Sequence, residues 1–482
     1  MPPNLLLGID IGSTTTRAVC FDLDGQPLAE AHREPPVYHP QTDWAEVSGD
    51  DWWGAVTEVV AEVTARVDAS GIRVIGLCGL QHALVPLDES GSVLSRSQLW
   101  MDQRCRPQVH WMNTECRELL ESVRGEGVTV STTLSAPKLR WIAENDPDLI
   151  QQTRLFLPVK DFIRYRLTGA VGTDPSDARS TALLNSEAGS WSPDVVKAVG
   201  ITLDVLPPIF ESTTIAGSVT EPVSKLTGLA AGTPVAVGSG DVACTRLGSN
   251  THIDGGVCLY LGTSAWIAAS PRSPNSRRTF GATATTGAAL KWISNLFRSP
   301  DLTPAEGYTS LLAEAESVPP GSNGLIFLPH LMGERGPKYI PEAVATFYGL
   351  TLAHGRAEMA RAVIEGCAYH LRQIIADRKL SDLTEAIAVG GGANSSLWLQ
   401  ILADTLGMSL SVPRVIDAAA LGAAITAGVA AGIYPDADAT AAEIVHIAHR
   451  VDPDSTRKST YDSLYERFLD LEARVSPLYG VN

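Results

Sequence analysis

The sequence predicts an α/β protein of two domains, and three observations lead to this fold class. The chain has 482 residues, enough for two domains with substantial hydrophobic cores. Strand-like and helix-like segments alternate in both halves, which is the order typical of α/β proteins. A strand, a turn of glycine and hydroxyl residues, and a second strand occur within the first thirty residues and again at 256–270. This recurrence indicates two halves built on one plan.

Local patterns predict the individual elements. Residues 48–67 carry apolar side chains at helical spacing, and Ser48 is a plausible N-cap. The other predicted elements are strands at 4–12, 17–25, 73–80 and 385–392, and helices at 357–378 and 395–407. The polar, glycine-rich stretch at 245–255 predicts the domain boundary, giving an N-terminal domain of 1–247 and a C-terminal domain of 248–482.

Composition and charge exclude several classes of function. The formal net charge is −17 and no Lys/Arg block occurs, which argues against binding to nucleic acid or to an anionic membrane. The seven cysteines are scattered without metal-ligand spacing, so we expect no disulfide framework or zinc site and a cytoplasmic location. Residues 417–435 are apolar enough to resemble a membrane span, but most of that apolar content is alanine. We interpret the segment as a tightly packed helix of a soluble protein.

Three glycine turns with hydroxyl or amide side chains follow predicted strands, at 10–16, 261–266 and 390–396. Bared backbone N–H groups at such turns bind phosphate without a basic cluster. Neither the P-loop pattern nor the dinucleotide-binding glycine fingerprint is present. The three turns together indicate a nucleotide held by several loops.

Two aspartates lie at strand ends. Asp10 precedes the first glycine turn and either forms a local turn or holds Mg²⁺ through water molecules. Asp241, in the stretch GSGD, is either a helix cap or a general base for a hydroxyl substrate. Position alone leaves both alternatives open for each residue.

A second group of polar residues is suited to a sugar. Gln81 and His82 end a strand, although a lone histidine there is more often structural. Trp100, Asp102 and Arg104 alternate, so on an extended segment all three face one way and offer a ring and two charges to a polyol. The structural alternative is a half-buried strand with a surface ion pair.

Taken together and in order, these motifs resemble the FGGY carbohydrate kinases of the actin–hexokinase–Hsp70 ATPase superfamily. The resemblance covers nearly the whole chain and includes GIDIGSTTTRAVCFDLDG, GLQHALVPLD, LWMDQR, GSGDVACTRLG, LYLGTSAW, FLPHLMGERGPKYIPEAVATFYGL and GGGANSSLWLQILADTLG. The segments at 158–169 and 173–185 resemble the family's lid region. The resemblance implies two ribonuclease-H-like domains around a central cleft.

It also implies transfer of the γ-phosphate of ATP, with Mg²⁺, to a hydroxyl of a small open-chain sugar. Asp241 would be the catalytic base and Asp10 would help to place the metal. The residues implied at the sugar are Gln81, His82, Trp100, Asp102, Arg104 and Asp241. Those implied at ATP are Gly12, Ser13, Thr14 and Thr15, Gly262, Thr263 and Ser264 for the phosphates, and Gly391, Gly392 and Asn394 for the adenosine.

Within the family the nearest resemblance is to the xylulose kinases, which implies D-xylulose as the substrate. Two departures bear on this. Gln81 replaces a usual methionine, and GERGPKYIP differs from the common GERTPHxxP form. Arg104, Arg335 and Lys338 together would favour a sugar acid such as gluconate. A catalytically idle sugar- or nucleotide-binding regulator is a further alternative, and either a monomer or a homodimer is compatible with the sequence.

Overall fold

The computed structural model describes residues 4–271 and 279–480. They form two compact units, the first comprising Met1–Gly248 with Ala418–Ile444, and the second Ser249–Asp417 with Val445–Asn482. The predicted division into 1–247 and 248–482 differs from these units at Gly248 and over the segment 418–444, both of which belong to the first unit. The reason is that this segment packs on strands of the first unit.

The described residues contain strands and helices in alternation. The strands are β1 Leu5–Ile11, β2 Thr16–Phe21, β3 Pro27–Arg33, β4 Glu46–Val47, β5 Ile72–Gly79, β6 Leu84–Leu87, β7 Ser97–Gln98, β8 Leu155–Pro158, β9 Leu184–Asn185, β10 Ser190–Trp191, β11 Ile215–Ser218, β12 Pro234–Ala236, β13 Ser239–Gly240, β14 Val257–Leu261, β15 Ala265–Ala269, β16 Thr279–Ala282, β17 Ile326–Leu328, β18 Thr346–Tyr348, β19 Glu385–Val389, β20 Ser409–Pro413 and β21 Ile447–Val451. The α-helices are α1 Gly49–Thr64, α2 Arg106–Thr114, α3 Arg117–Arg124, α4 Ser135–Asn145, α5 Pro147–Gln152, α6 Val159–Thr168, α7 Pro175–Ser180, α8 Pro193–Ala198, α9 Glu221–Thr227, α10 Asp241–Gly248, α11 Gly287–Phe297, α12 Pro304–Glu316, α13 Arg356–Asp377, α14 Ser396–Leu406, α15 Ala418–Ala430, α16 Ala437–Ile444 and α17 Lys458–Val475.

The two main sheets share one strand plan. In the first unit the order is β11-β12-β5-β1-β2-β3, and in the second it is β16-β15-β14-β19-β20-β21. In each, three strands joined by antiparallel pairing (β1–β3, β14–β16) are followed by two parallel strands and an antiparallel edge strand. The edge strand precedes its neighbour in the chain in the first unit and follows it in the second. The predicted α/β class of two similar halves is confirmed.

The alanine-rich helix α15 lies against the backbone of β1 and β5. A Cβ atom on Gly8 would lie 2.1 Å from the carbonyl oxygen of Ala420, and one on Gly76 would lie 2.0 Å from that of Ala423. Only glycine allows this approach, and small side chains on the helix complete the contact. The composition that resembles a membrane span therefore reflects close packing. In the part of the chain that the structure describes, no helix is long and apolar enough to cross a membrane.

Candidate active site

The carboxyl ends of three neighbouring strands of the first sheet bring the two predicted catalytic aspartates to one edge. In the register of the sheet, Asp10 of β1 and Ser239 of β13 both pair with Cys78 of β5. Asp241 follows β13 directly and begins α10. Strand ends are rigid supports, so this edge can hold two carboxylates in a defined arrangement.

The Cys78 thiol lies in the field of both carboxylates. Burial raises its pKa well above the ordinary value, and contact with Cys244 and the charges of Asp10 and Asp241 raise the pKa further. Burial also raises the pKa of the Asp10 carboxyl, although a hydrogen bond with Cys78 and the charge of Arg17 oppose this. The thiol is therefore a neutral partner for Asp10 and does not act as a nucleophile.

At Asp241 the carboxylate is hydrogen-bonded to the backbone of the next residue. Its Oδ1 accepts a hydrogen bond from the backbone N–H of Val242 at 2.8 Å. The residue is partly buried and begins the helix. Local backbone bonding therefore sets the direction of the carboxylate, and this is compatible with a chemical role for it.

The first glycine turn, at residues 12–15, is tight and is braced by two tryptophans. The Gly12 N–H donates to the Thr15 carbonyl at 2.9 Å, and a Cβ on Gly12 would lie 2.7 Å from that oxygen. The indole N–H of Trp52 in α1 donates to the Gly12 carbonyl at 3.2 Å, and that of Trp100 donates to Ser13 Oγ at 2.9 Å. The turn, including Thr14, is only partly buried. A predicted phosphate turn and a predicted sugar residue are thus in direct contact.

Gln81 and His82 both bind the short helix α7. Gln81 Nε2 donates to the Ser176 carbonyl at 2.9 Å, and His82 Nδ1 lies 3.0 Å from the Ser180 carbonyl. A Cβ on Gly240 would lie 2.5 Å from Gln81 Nε2, so this side chain lies against the backbone just before Asp241. Gln81 therefore belongs to the same edge as the aspartates.

Asp102 and Arg104 do not share the direction of Trp100, because the predicted extended segment is a turn at residues 99–102. Asp102 is fully buried and accepts hydrogen bonds from the Ala45 N–H at 2.7 Å and from the Arg104 guanidinium at 2.7 Å. The same guanidinium donates to Glu46 at 2.6 Å and lies 3.5 Å from the Trp44 ring centroid. These two charges are engaged with each other and with their neighbours.

The segments that resemble a lid region contribute a buried ionic cluster beneath this edge. Lys160 Nζ lies 2.7 Å from Asp161, 3.0 Å from Asp174 and 3.1 Å from Asp177, and all four side chains are 0–1% exposed. Arg164 pairs with Asp161 at 2.6 Å. Burial raises the pKa of the Asp177 carboxyl well above its ordinary value. The cluster was missed from the sequence because its members look like surface charges until the chain folds.

In the second unit, the turn at 262–264 is joined to the start of α11. The N–H groups of Gly287 and Ala288 donate to the carbonyls of Gly262 and Thr263, each at 3.0 Å, and Gly262 N–H donates to the Ser264 carbonyl at 2.9 Å. All three turn residues are partly exposed. The turn follows β14, whose neighbour in the sheet is β19.

The third glycine turn follows β19 and therefore lies at the same sheet edge. Tyr260 pairs with Val389, the last residue of β19. Residues Gly391–Asn394 form a 3₁₀ turn, in which Gly391 and Asn394 are exposed and Gly392 is buried against Trp398. Two of the predicted nucleotide turns are thus neighbours within one unit.

Lys338 of the GERGP segment is held by an acidic side chain of α17. Its Nζ lies 2.9 Å from Glu472, which also accepts a hydrogen bond from Gln373 Nε2 at 2.7 Å and faces His330 at 3.5 Å. Burial opposes ionisation of Glu472, but these hydrogen bonds outweigh it and lower its pKa to about 2. The carboxylate therefore remains charged and keeps Lys338 engaged.

The family can be decided from comparison with known proteins. Residues 5–248 match the model of the N-terminal domain of the FGGY family of carbohydrate kinases, and residues 268–431 match that of its C-terminal domain. The chain belongs to the FGGY family of carbohydrate kinases. It is therefore a phosphotransferase acting on a carbohydrate, and sugar kinases of this family use ATP.

FGGY relatives similar to this chain carry two substrate names. A xylulose kinase of Bacillus subtilis (strain 168) is 29% identical, covering 98% of this chain and 97% of that protein. A gluconokinase of the same organism is 27% identical, covering 98% and 96% respectively. The crystal structure of a xylulose kinase from Rhodospirillum rubrum has a TM-score of 0.77 at 28% identity, covering 98% of this chain and 99% of that one. These comparisons confirm the predicted two-domain kinase fold.

Proposed function

We propose that this FGGY kinase transfers the γ-phosphate of ATP to a hydroxyl of D-xylulose, forming D-xylulose 5-phosphate. The observation that carries the proposal is the sheet edge where Asp10, Asp241 and Gln81 converge beside the Ser13–Trp100 contact. Such an edge offers a base, polar groups for sugar hydroxyls and an aromatic face. The relatives named xylulose kinase support the choice of sugar.

Asp241 acts as the general base in this proposal. Its carboxylate accepts the proton of the sugar hydroxyl, the hydroxyl oxygen bonds to the γ-phosphorus, and the bond from that phosphorus to the β–γ bridging oxygen breaks to release ADP. Phosphoryl transfer depends mainly on positioning and charge stabilisation. The Val242 N–H supports this role because its hydrogen bond to Oδ1 fixes the direction of the carboxylate.

The glycine turns take ATP. The phosphates take the hydroxyl groups and the remaining backbone N–H groups of turns 12–15 and 262–264, since the Gly12 and Gly262 N–H groups bond within their own turns. Gly391, Gly392 and Asn394 line the adenosine pocket. The exposure of Gly391 and Asn394 supports this assignment. Hydrogen bonds join the turn at 262–264 to the start of α11. The phosphates would therefore bind to a loop whose conformation is already fixed.

Two of the three basic side chains that would favour a sugar acid are already paired with carboxylates, which supports a neutral sugar. Arg104 is engaged by Asp102 and Glu46, and Lys338 is engaged by Glu472. A gluconate carboxylate would have to compete with these partners. We therefore place D-xylulose ahead of gluconate, which remains the second candidate because of the gluconokinase relatives.

The test is ADP release coupled to NADH oxidation, measured across ketopentoses, aldonic acids, glycerol and tetritols. We expect kcat/KM for D-xylulose to exceed that for gluconate by at least about tenfold, a difference of about 1.4 kcal/mol in transition-state binding. A preference for gluconate would overturn the choice of sugar. No turnover with any acceptor, by protein that is folded and binds ATP, would favour the idle regulator instead.

Asp10 fits a magnesium ion whose remaining ligands come from phosphate and water. Among the described residues, no group of three or more His, Cys, Asp or Glu side chains could hold a metal ion by itself. Mg²⁺ commonly binds through one or two carboxylates together with substrate phosphates and retained water. When bound there, the ion would supply charge for the transferring phosphate, and Asp10 would orient its water shell.

Replacing Asp10 with asparagine should raise the Mg²⁺ concentration for half-maximal activity by about ten- to a hundredfold, as for other residues that support a metal indirectly. Asp22 is the control, since it directly follows β2 and its Oδ1 accepts hydrogen bonds from the N–H groups of Asp24 and Gln26. Asp22→Asn should leave the Mg²⁺ titration unchanged. If Asp10→Asn and the wild type need the same Mg²⁺ concentration for half-maximal activity, Asp10 has only a structural role in the turn.

A further inference from the structure

The hydroxyl of Ser176, on α7, joins the buried ionic cluster to the sheet edge. Gly240 N–H donates to Ser176 Oγ at 2.9 Å, and Ser176 Oγ donates to Asp174 Oδ2 at 2.5 Å. The directions are unambiguous, because a backbone N–H can only donate and the single hydroxyl proton is then left for the carboxylate. The chain of bonds thus runs from Asp174 to the backbone just before Asp241.

The same residue also holds a candidate sugar-binding side chain. The Ser176 carbonyl accepts from Gln81 Nε2 at 2.9 Å, and Asp177 Oδ1 lies 3.4 Å from the same atom. At the other end of α7, the Ser180 carbonyl binds His82 Nδ1. One helical segment of six residues therefore contacts Gln81 and His82 and also Gly240, which lies far from them in the sequence.

Helix α7 is itself anchored by the buried ionic cluster. Asp174 caps α7, since its Oδ2 accepts from the Ser176 N–H and its Oδ1 from the Asp177 N–H, and Oδ1 also lies 3.0 Å from Lys160 Nζ. Lys160 packs under the last residue of β5, since a Cβ on Gly79 would lie 2.9 Å from the Lys160 Cβ. Movement of α7 would disrupt this buried ion pair.

We propose that Ser176 is a positioning residue for phosphoryl transfer, holding the Gly240–Asp241 backbone so that the Asp241 carboxylate faces the sugar hydroxyl. This inference rests on the proposed function. Ser176 acts through Gly240 and does not itself touch the reacting atoms. Displacements of about 1 Å in such a site lower rates by about a hundredfold.

The experiment compares Ser176→Ala, Ser176→Thr and Thr181→Val for kcat, for both KM values and for urea unfolding. Thr181 is the matched control: its buried hydroxyl accepts from Leu183 N–H at 3.0 Å and donates to the Ala178 carbonyl at 2.7 Å, and neither of these partners is a candidate site residue. We expect Ser176→Ala to lower kcat about ten- to a hundredfold with KM for ATP unchanged. Ser176→Thr, which keeps the hydroxyl, should recover most of kcat, and Thr181→Val should retain kcat within about twofold at a comparable loss of stability.

The outcomes separate the inference from the proposed function. Wild-type kcat in Ser176→Ala, alongside an inactive Asp241→Asn, would overturn the positioning role and leave the function standing. An equal loss of kcat in Thr181→Val would also overturn it, because the effect would then be general destabilisation. No sugar phosphorylation by the wild type would remove the proposed function and with it the basis of the inference.

Discussion

Asp241→Asn should lower kcat for sugar phosphorylation by about a hundred- to ten-thousandfold, the range typical of losing a general base. KM for ATP should change by no more than about threefold, because Asp241 begins α10 at the end of a different strand from the one that leads into the glycine turn at 12–15. Asparagine has nearly the same shape and is as good a helix cap as aspartate. The substitution therefore removes the base while it preserves the bond to Val242.

Asp146 offers a matched control for the cap interpretation. Its side chain caps α5 by accepting a hydrogen bond from Leu149 N–H at 3.2 Å, on an exposed surface. Asp146→Asn should leave kcat and stability at wild-type values. Steady-state kinetics with the preferred sugar provide the comparison, and near-normal turnover by Asp241→Asn would reject its role as a base.

Lys160→Met should lower the free energy of unfolding by about 3–5 kcal/mol. Three aspartates lie within 3.1 Å of the ammonium group, and none of these side chains is more than 1% exposed. Burial opposes the charge on Lys160, but the carboxylates outweigh it and raise its pKa above the ordinary value. Without the cation, buried carboxylates lose their partner in a region of low dielectric constant.

Urea denaturation measures this loss, and two further variants define its cause. Lys197 is exposed on α8, so Lys197→Met should change stability by less than about 0.5 kcal/mol. Adding Asp177→Asn to Lys160→Met should recover part of the loss, with a coupling energy of about 0.5–3 kcal/mol. A loss below about 1 kcal/mol in Lys160→Met would show that the cluster contributes little to stability.

Trp100, Asp102 and Arg104 illustrate where sequence reasoning reached its limit. Alternation predicts a common direction only if the segment is extended, and here the chain turns. Trp100 reaches Ser13, whereas Arg104 lies on the ring of Trp44, some sixty residues earlier in the chain. The direction of each side chain is decided by contacts with residues distant in the sequence, and sequence periodicity carries no information about those contacts.

The ionic cluster beneath the sheet edge is a second feature that the sequence did not predict, because nothing in it indicated that these charged side chains are buried. The members of the cluster, such as Lys160, Asp174 and Asp177, are charged residues, which are normally exposed. Their burial follows from the packing of α6 against β5 and of α7 against β13. Trp52 is a milder case: its helical spacing correctly predicts a core residue, yet its N–H also braces the Gly12 turn.

The α/β class, the paired strand–turn–strand units and the three glycine turns were determined by sequence, because short-range periodicity and backbone chemistry are local properties. Asp10 and Asp241 could be identified as candidates for the same reason. Their convergence was decided by tertiary structure, since parallel pairing with β5 aligns strand ends that are more than two hundred residues apart. The place of α15 was also decided there, because glycines in β1 and β5 admit its backbone and bring residues 418–444 into the first unit.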